Sequence, residues 1–139
     1  MHKKILHGLD GSDGSFKALE EAISLAKLYG AELHSISIEE VPKYAETVGE
    51  FKEAKAVEDG KYAEAVARAR QQAQQQGIVL NAHVFVGHEV QTIMEFIKKH
   101  ACDLLVIGFM GHSAIYDRVM GSTCQSLVRL APCSVIVVK

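Results

Sequence analysis

The chain has 139 residues, enough for one domain with its own apolar core and no disulfide or metal staples. A formal net charge of −2, with Lys and Arg scattered along the chain, argues against a general binder of nucleic acid or membranes, which would display a basic patch. Met1 to Ile5 lead into a strand-like run without a signal-type apolar core, and no apolar stretch reaches the roughly 18 residues of a membrane span. Cys102, Cys124 and Cys133 are odd in number and far apart, so a disulfide framework is not expected; the expected setting is a reduced cytoplasm.

In chain order, residues 4–9 form a short apolar run that ends in a Gly/Asp/Ser cluster, the signature of a buried strand and its turn. Residues 16–29 place Phe16, Leu19, Ala22, Ile23 and Ala26 at helical spacing, with Ser15 as N-cap and Gly30 as the stop. Residues 32–38 read as a second strand with His34, Ile36 and Ile38 on one face. From 39 to about 58 periodicity is lost around Pro42 and Gly49, which predicts a loop with one irregular helical turn. A helix over 59–76, a strand over 81–86, a helix over 90–100 and a strand over 104–107 follow. A last helix over 122–130 and a last strand over 134–138 complete the series.

This alternation predicts a single α/β domain over residues 1–139: a doubly wound, five-stranded parallel sheet, strand order 3-2-1-4-5, with helices on both faces. In that order the first and fourth strands are neighbours whose connections leave in opposite directions. Ligands bind in the crevice at such a switch point. Asp10 ends the first strand and Gly108 begins the loop after the fourth, so two site-like segments are expected to meet there.

The second of these segments carries Gly108 and Gly111, nine intervening residues, then Gly121, Ser122 and Thr123. Glycine accepts φ > 0 and close ligand approach, and a helix beginning at Ser122 offers unpaired N–H groups and a positive dipole end to phosphate. The spacing is neither a Walker A loop nor the dinucleotide fingerprint. Asp10 reads either as a turn former or helix cap, or as a carboxylate at the crevice mouth that accepts ribose hydroxyls; Asp13 reads as a cap or a solvated charge.

A loop of two glycines, a nine-residue spacer and Gly-Ser resembles the nucleotide-binding signature of the universal stress protein family, and the resemblance runs from end to end of the chain. It implies an adenine nucleotide alpha hydrolase-like fold and an ATP-binding, cytoplasmic stress or regulatory module. ATP, or AMP or ADP, would be the ligand, with Mg²⁺ as its accompanying metal. The family's loop wraps the phosphates, with Gly108 and Gly111 near ribose and α-phosphate and Gly121, Ser122 and Thr123 at the outer phosphates; Cys124 would contribute backbone alone. Gly8, Leu9 and Asp10 match the family's opening strand against the nucleoside, and Ile38 and Ile107 match its apolar contacts to adenine. The family also implies a homodimer through the C-terminal strand; that no nucleic acid is a partner is expected from the charge alone.

Three positions depart from the family pattern. His7 puts a ring that needs a partner into the central strand. Phe109-Met110 makes the first glycine turn apolar. His112 stands where Arg or Lys is common, so the charge near the phosphates depends on pH. The seven histidines do not suggest zinc: His88-Glu89 lacks a second His at the H-E-x-x-H spacing, and His2, His34, His83 and His100 lie on separate elements. A non-enzymatic binding module is expected; the alternatives are a slow or partner-triggered ATPase and an interaction protein that binds no nucleotide. Of side chains suited to phosphoryl transfer, only His112, Asp117 and Arg118 stand near the loop.

Overall fold

A computed structural model describes residues 2–40, 60–109 and 121–139, and the backbone alone of 52 and 53. Its elements are β1 (Lys4–Gly8), α1 (Asp13–Tyr29), β2 (Glu32–Glu40), β3 (Lys52–Glu53) and α2 (Ala63–Gln75), followed by β4 (Leu80–Gly87), α3 (Glu89–His100), β5 (Leu104–Gly108), α4 (Ser122–Leu130) and β6 (Ser134–Val138). The sheet runs β3-β4-β2-β1-β5-β6. Its five longer strands are all parallel. Counted alone, they follow the expected order 3-2-1-4-5.

Burial on both faces makes these strands read as unbroken apolar runs. Ile5, Leu9, Leu33, Val84 and Val106 pack on the side covered by α1 and α2. Leu6, Ile36, Ile38, Phe85 and Leu105 pack on the other side, against Ile93, Phe96 and Ile97 of α3 and Leu127 of α4. His34 shares that second layer, as its spacing from Ile36 and Ile38 predicts.

Two expectations need correction. Within the stretch read as a loop, Lys52 and Glu53 form an antiparallel strand on Val86 and Phe85. The outer edge of β4 offers free backbone groups there, and pairing satisfies them without any periodic signal in two residues. Helix α1 also begins before Phe16: its N-cap is Ser12, not Ser15. Ser12 Oγ accepts the N–H of Ser15 at 3.1 Å, which satisfies a first-turn donor, and Asp13 sits favourably at the helix's positive end.

Candidate functional site

Strand β1 lies between β2 and β5, so the chain leaves its C-terminal end next to the loop that follows β5. A cavity of about 310 Å³ opens at this point, within the size range of small-molecule sites. Ten of the sequence-predicted residues line it: Gly8, Leu9, Asp10, Ile38, Ile107, Gly108, Gly121, Ser122, Thr123 and Cys124. The expectations for Gly111 and His112 fall outside the described residues.

The floor is set by β1 and β2. Leu9 N–H donates to the Ile36 carbonyl at 2.9 Å, and Ser37 Oγ–H donates to the Leu9 carbonyl at 2.7 Å. The Leu9 side chain belongs to the core beneath α1. Asp10 then closes a tight turn, in which its Oδ1 accepts the backbone N–H of Ser12 at 2.9 Å and the Ser12 hydroxyl. Gly11 in that turn has φ 85°, a conformation glycine alone adopts freely. The carboxylate of Asp10 thus shapes the turn, as its reading as a turn former has it, and Asp10 is among the residues that line the cavity.

The β5 side is built differently. Phe109 N–H donates to the Val138 carbonyl at 2.9 Å, and Gly121 N–H reaches the Phe109 carbonyl at 3.4 Å, so the two ends of the intervening loop meet. Gly121 is the N-cap of α4, and being glycine it brings no capping side chain of its own. The first intrahelical bond is Gln125 N–H to the Gly121 carbonyl, so the N–H groups of Ser122, Thr123 and Cys124 have no partner within the helix and lie at the cavity. Positive φ is not what calls for glycine here, because Gly121 has φ −59°. Gly108 also lies outside the left-handed region, and its own constraint is contact: a Cβ would stand 2.9 Å from the Gly14 carbonyl oxygen. Cys124 is buried, which pushes its thiol up and keeps it neutral.

Sequence reasoning missed the β2 side of the mouth. Strand β2 runs two residues further than predicted, pairing Glu40 with Gly87. Glu40 Oε1 thereby accepts the N–H of Glu89 at 3.1 Å, at the positive end of α3. Tyr62, just before α2, donates its hydroxyl to the Ile38 carbonyl at 2.9 Å. Burial first, then the charges of Glu89, Asp10, Glu39 and Glu40, push this phenol up to about 12, so it stays a donor at any physiological pH. Lys61 stands over the Tyr62 ring, 5.5 Å from its centroid. A tyrosine directly after Gly60-Lys61 was the available signal, but a helix assigned from residue 59 hid it.

His7 finds its partner. Its Nε2–H donates to the Ser15 carbonyl at 2.7 Å, beneath the first turn of α1. Among the described residues no group of three or more His, Cys, Asp and Glu side chains is placed to hold a metal ion, and no helix is long and apolar enough to cross a membrane.

Such a sheet, with a crevice walled by the N-terminus of α4 and an aspartate turn, defines a doubly wound α/β protein with a cavity at the switch point. The model of the universal stress protein family matches residues 1–139, and the chain belongs to that family. Universal stress protein MJ0531 of Methanocaldococcus jannaschii is 31% identical over 143 residues, covering 100% of this chain and 83% of that protein. The solved structure of the universal stress protein UspA from Lactobacillus plantarum superposes with a TM-score of 0.80 at 28% identity, covering 99% of this chain and 98% of that one. A universal stress protein solved in complex with cAMP shares the fold, with a TM-score of 0.76 at 24% identity over 99% of this chain and 97% of its own.

Proposed function

We propose that this protein is an adenine-nucleotide-binding stress-response module, with ATP, ADP or AMP as its ligand, that works by binding rather than by turnover. The observation that carries this reading is the glycine-capped N-terminus of α4, which opens into the same cavity as Asp10 and Gly108. Three backbone donors and two hydroxyls at a positive helix end suit phosphate, and a fixed carboxylate one strand away suits ribose hydroxyls. The cAMP found in a protein of the same fold supports an adenine ligand. Mg²⁺ would come with the ligand's phosphates, since it prefers oxygen ligands and keeps its waters.

Mass spectrometry of small molecules released from freshly purified protein tests the reading directly, with adenine nucleotide as the expected species. Added ATP should stabilise the fold by about 2.7 kcal/mol at a hundredfold excess over Kd. Gly121→Val should remove that shift by placing a branched side chain beside the α4 donors. An unchanged ATP shift in this variant would assign the phosphates elsewhere. Phosphate release over several hours should stay at the buffer blank; sustained release would make the protein an ATPase.

The setting we propose is cytoplasmic, in keeping with free thiols at Cys102, Cys124 and Cys133. The proposed assembly is a homodimer, because β6 ends the sheet with Val135, Ile136, Val137 and Val138 each half-buried on an open edge. Val137→Pro should convert dimers to monomers or to insoluble protein. Light scattering that finds the wild type monomeric at tens of micromolar would count against the dimer.

A further inference from the structure

Three histidines and two phenylalanines stack where β2 and β4 run under α3. His34 Nδ1 lies 3.0 Å from His83 Nε2. Their rings are within 17° of parallel, with centroids 5.2 Å apart. His34 Nε2 lies 3.1 Å from Glu32 Oε1. Phe96 spans the group, its ring centroid 4.8 Å from that of His83 and 4.2 Å from that of His100, the last residue of α3. The ring nitrogens of His34 and His83 point at each other rather than converging on a common centre, so the arrangement is a hydrogen-bonded pair and not a metal site.

Proton counting fixes its states. The His34 hydrogen bond holds the Glu32 carboxyl below its usual range, aided by Lys4, so Glu32 is an acceptor and His34 Nε2 carries hydrogen. Neutral His34 then has a bare Nδ1, which accepts the Nε2–H of His83. One further proton can be held with this bond intact. A second leaves two N–H donors facing each other at 3.0 Å, and the bond becomes a repulsion.

The surroundings oppose added charge. Glu32 on β2 and Lys4 on β1 face His34, and Lys99 on α3 and Lys4 face His100. Lys4 Nζ also donates to the His100 carbonyl at 3.0 Å. Burial holds His34 and His100 below the ordinary histidine range.

We propose that the His34–His83 pair, together with His100, is an acid-sensitive latch that fastens the C-terminal half of α3 to β2 and β4 and releases it when protons bind. Histidines that are harder to protonate in the folded state contribute stability that is present above the unfolded value, about 6.5, and lost as pH falls below it. The latch shares its elements with the crevice: Ile36 and Ile38 follow His34 on the same face of β2, Ile93 precedes Phe96 on α3, and all three line the cavity. Release in acid thus loosens one cavity wall, whatever ligand the crevice takes.

Amide hydrogen exchange between pH 7.5 and 5.5, corrected for intrinsic rates, reads the latch locally. Protection at the C-terminal end of α3 should fall about tenfold per pH unit for each proton taken up on opening, and should fall further than that of β1 and β5, which follow global stability. In His83→Gln the amide can still donate to His34 Nδ1 but cannot be protonated, so its neutral-pH protection should match wild type and its acid loss should be smaller. Equal loss in wild type and variant, a loss in β1 and β5 as large as that in α3, or full α3 protection at pH 5.5 would each overturn the latch. Ring ¹⁵N shifts of the wild type supply a second readout: His34 Nδ1 should show an accepted hydrogen bond at pH 7.5 that is lost in acid, and a His34 Nδ1 signal without that bond at pH 7.5 would refute the pair.

Discussion

Lowering the pH from 7.5 towards 4 should cost the fold about 3 kcal/mol through His7 alone. The ring sits on the central strand with no exposed surface. Its Nε2–H is committed to the Ser15 carbonyl, and its Nδ1 has no hydrogen-bond partner among the described residues. A proton added at Nδ1 would create a charged donor with nothing to receive it in a dry interior. Burial lowers the pKa to about 4, against smaller opposing effects of the Ser15 hydrogen bond and the Asp10 charge. The folded state therefore binds fewer protons than the unfolded chain between these values. The stabilisation is complete above about 6.5 and is lost as pH falls through that window to about 4. A domain of this size has about 5–15 kcal/mol to lose, so the effect is large. Urea unfolding of wild type and His7→Leu at several pH values measures it. The variant should be much less sensitive to acid, with the residue of the slope belonging to His34 and His100. Parallel pH profiles would mean that His7 titrates as it does in the unfolded chain.

The same histidine illustrates what sequence can and cannot supply. Its need for a partner follows from its place in an apolar run, but the partner, a carbonyl in the first turn of α1, depends on where that helix begins. Ser12 and Ser15 are both residues that cap helices well, and only the fold shows that Ser12 is the one that does so. The parallel strands were legible because burial on both faces writes itself as consecutive Val, Ile and Leu. Strand β3 was not, since Lys52 and Glu53 carry no pattern and pair only because β4 has an open edge. At the site, Asp10, Gly108 and Gly121 stand out as strand ends and helix caps. Glu40, Tyr62 and Glu89 do not, because each reaches the cavity through register: Glu40 opposite Gly87, and Tyr62 under the carbonyl of Ile38. The His34–His83 bond joins residues 49 apart in sequence, and spacing along a chain says nothing about which rings two neighbouring strands bring together.

Gly108→Ala should destabilise the fold by about 2 kcal/mol, within the usual range for overpacking, although it adds a single methyl group. That Cβ would lie 2.9 Å from the carbonyl oxygen and 3.0 Å from the carbonyl carbon of Gly14, and 3.4 Å from the nitrogen of Ser15. All three are backbone atoms, so no side chain can swing aside and the first turn of α1 must move off β5. Gly8→Ala provides the control on the neighbouring strand. Its added Cβ would meet only the Ile107 Cγ2 methyl at 3.3 Å, which a small side-chain rotation relieves, so its cost should be well below that of Gly108→Ala. Displacing α1 also strains the His7 bond to Ser15 and the Asp10–Ser12 turn, which are fixed by the same first turn. The loss should therefore appear twice in Gly108→Ala, as a lower urea midpoint with an unchanged m-value and as a reduced thermal shift with added ATP. If both variants cost the same, close packing of α1 on β5 is not what demands glycine at position 108. The demand would then lie with the ligand, and the thermal shift would fall in Gly108→Ala while its urea midpoint stayed level with that of Gly8→Ala.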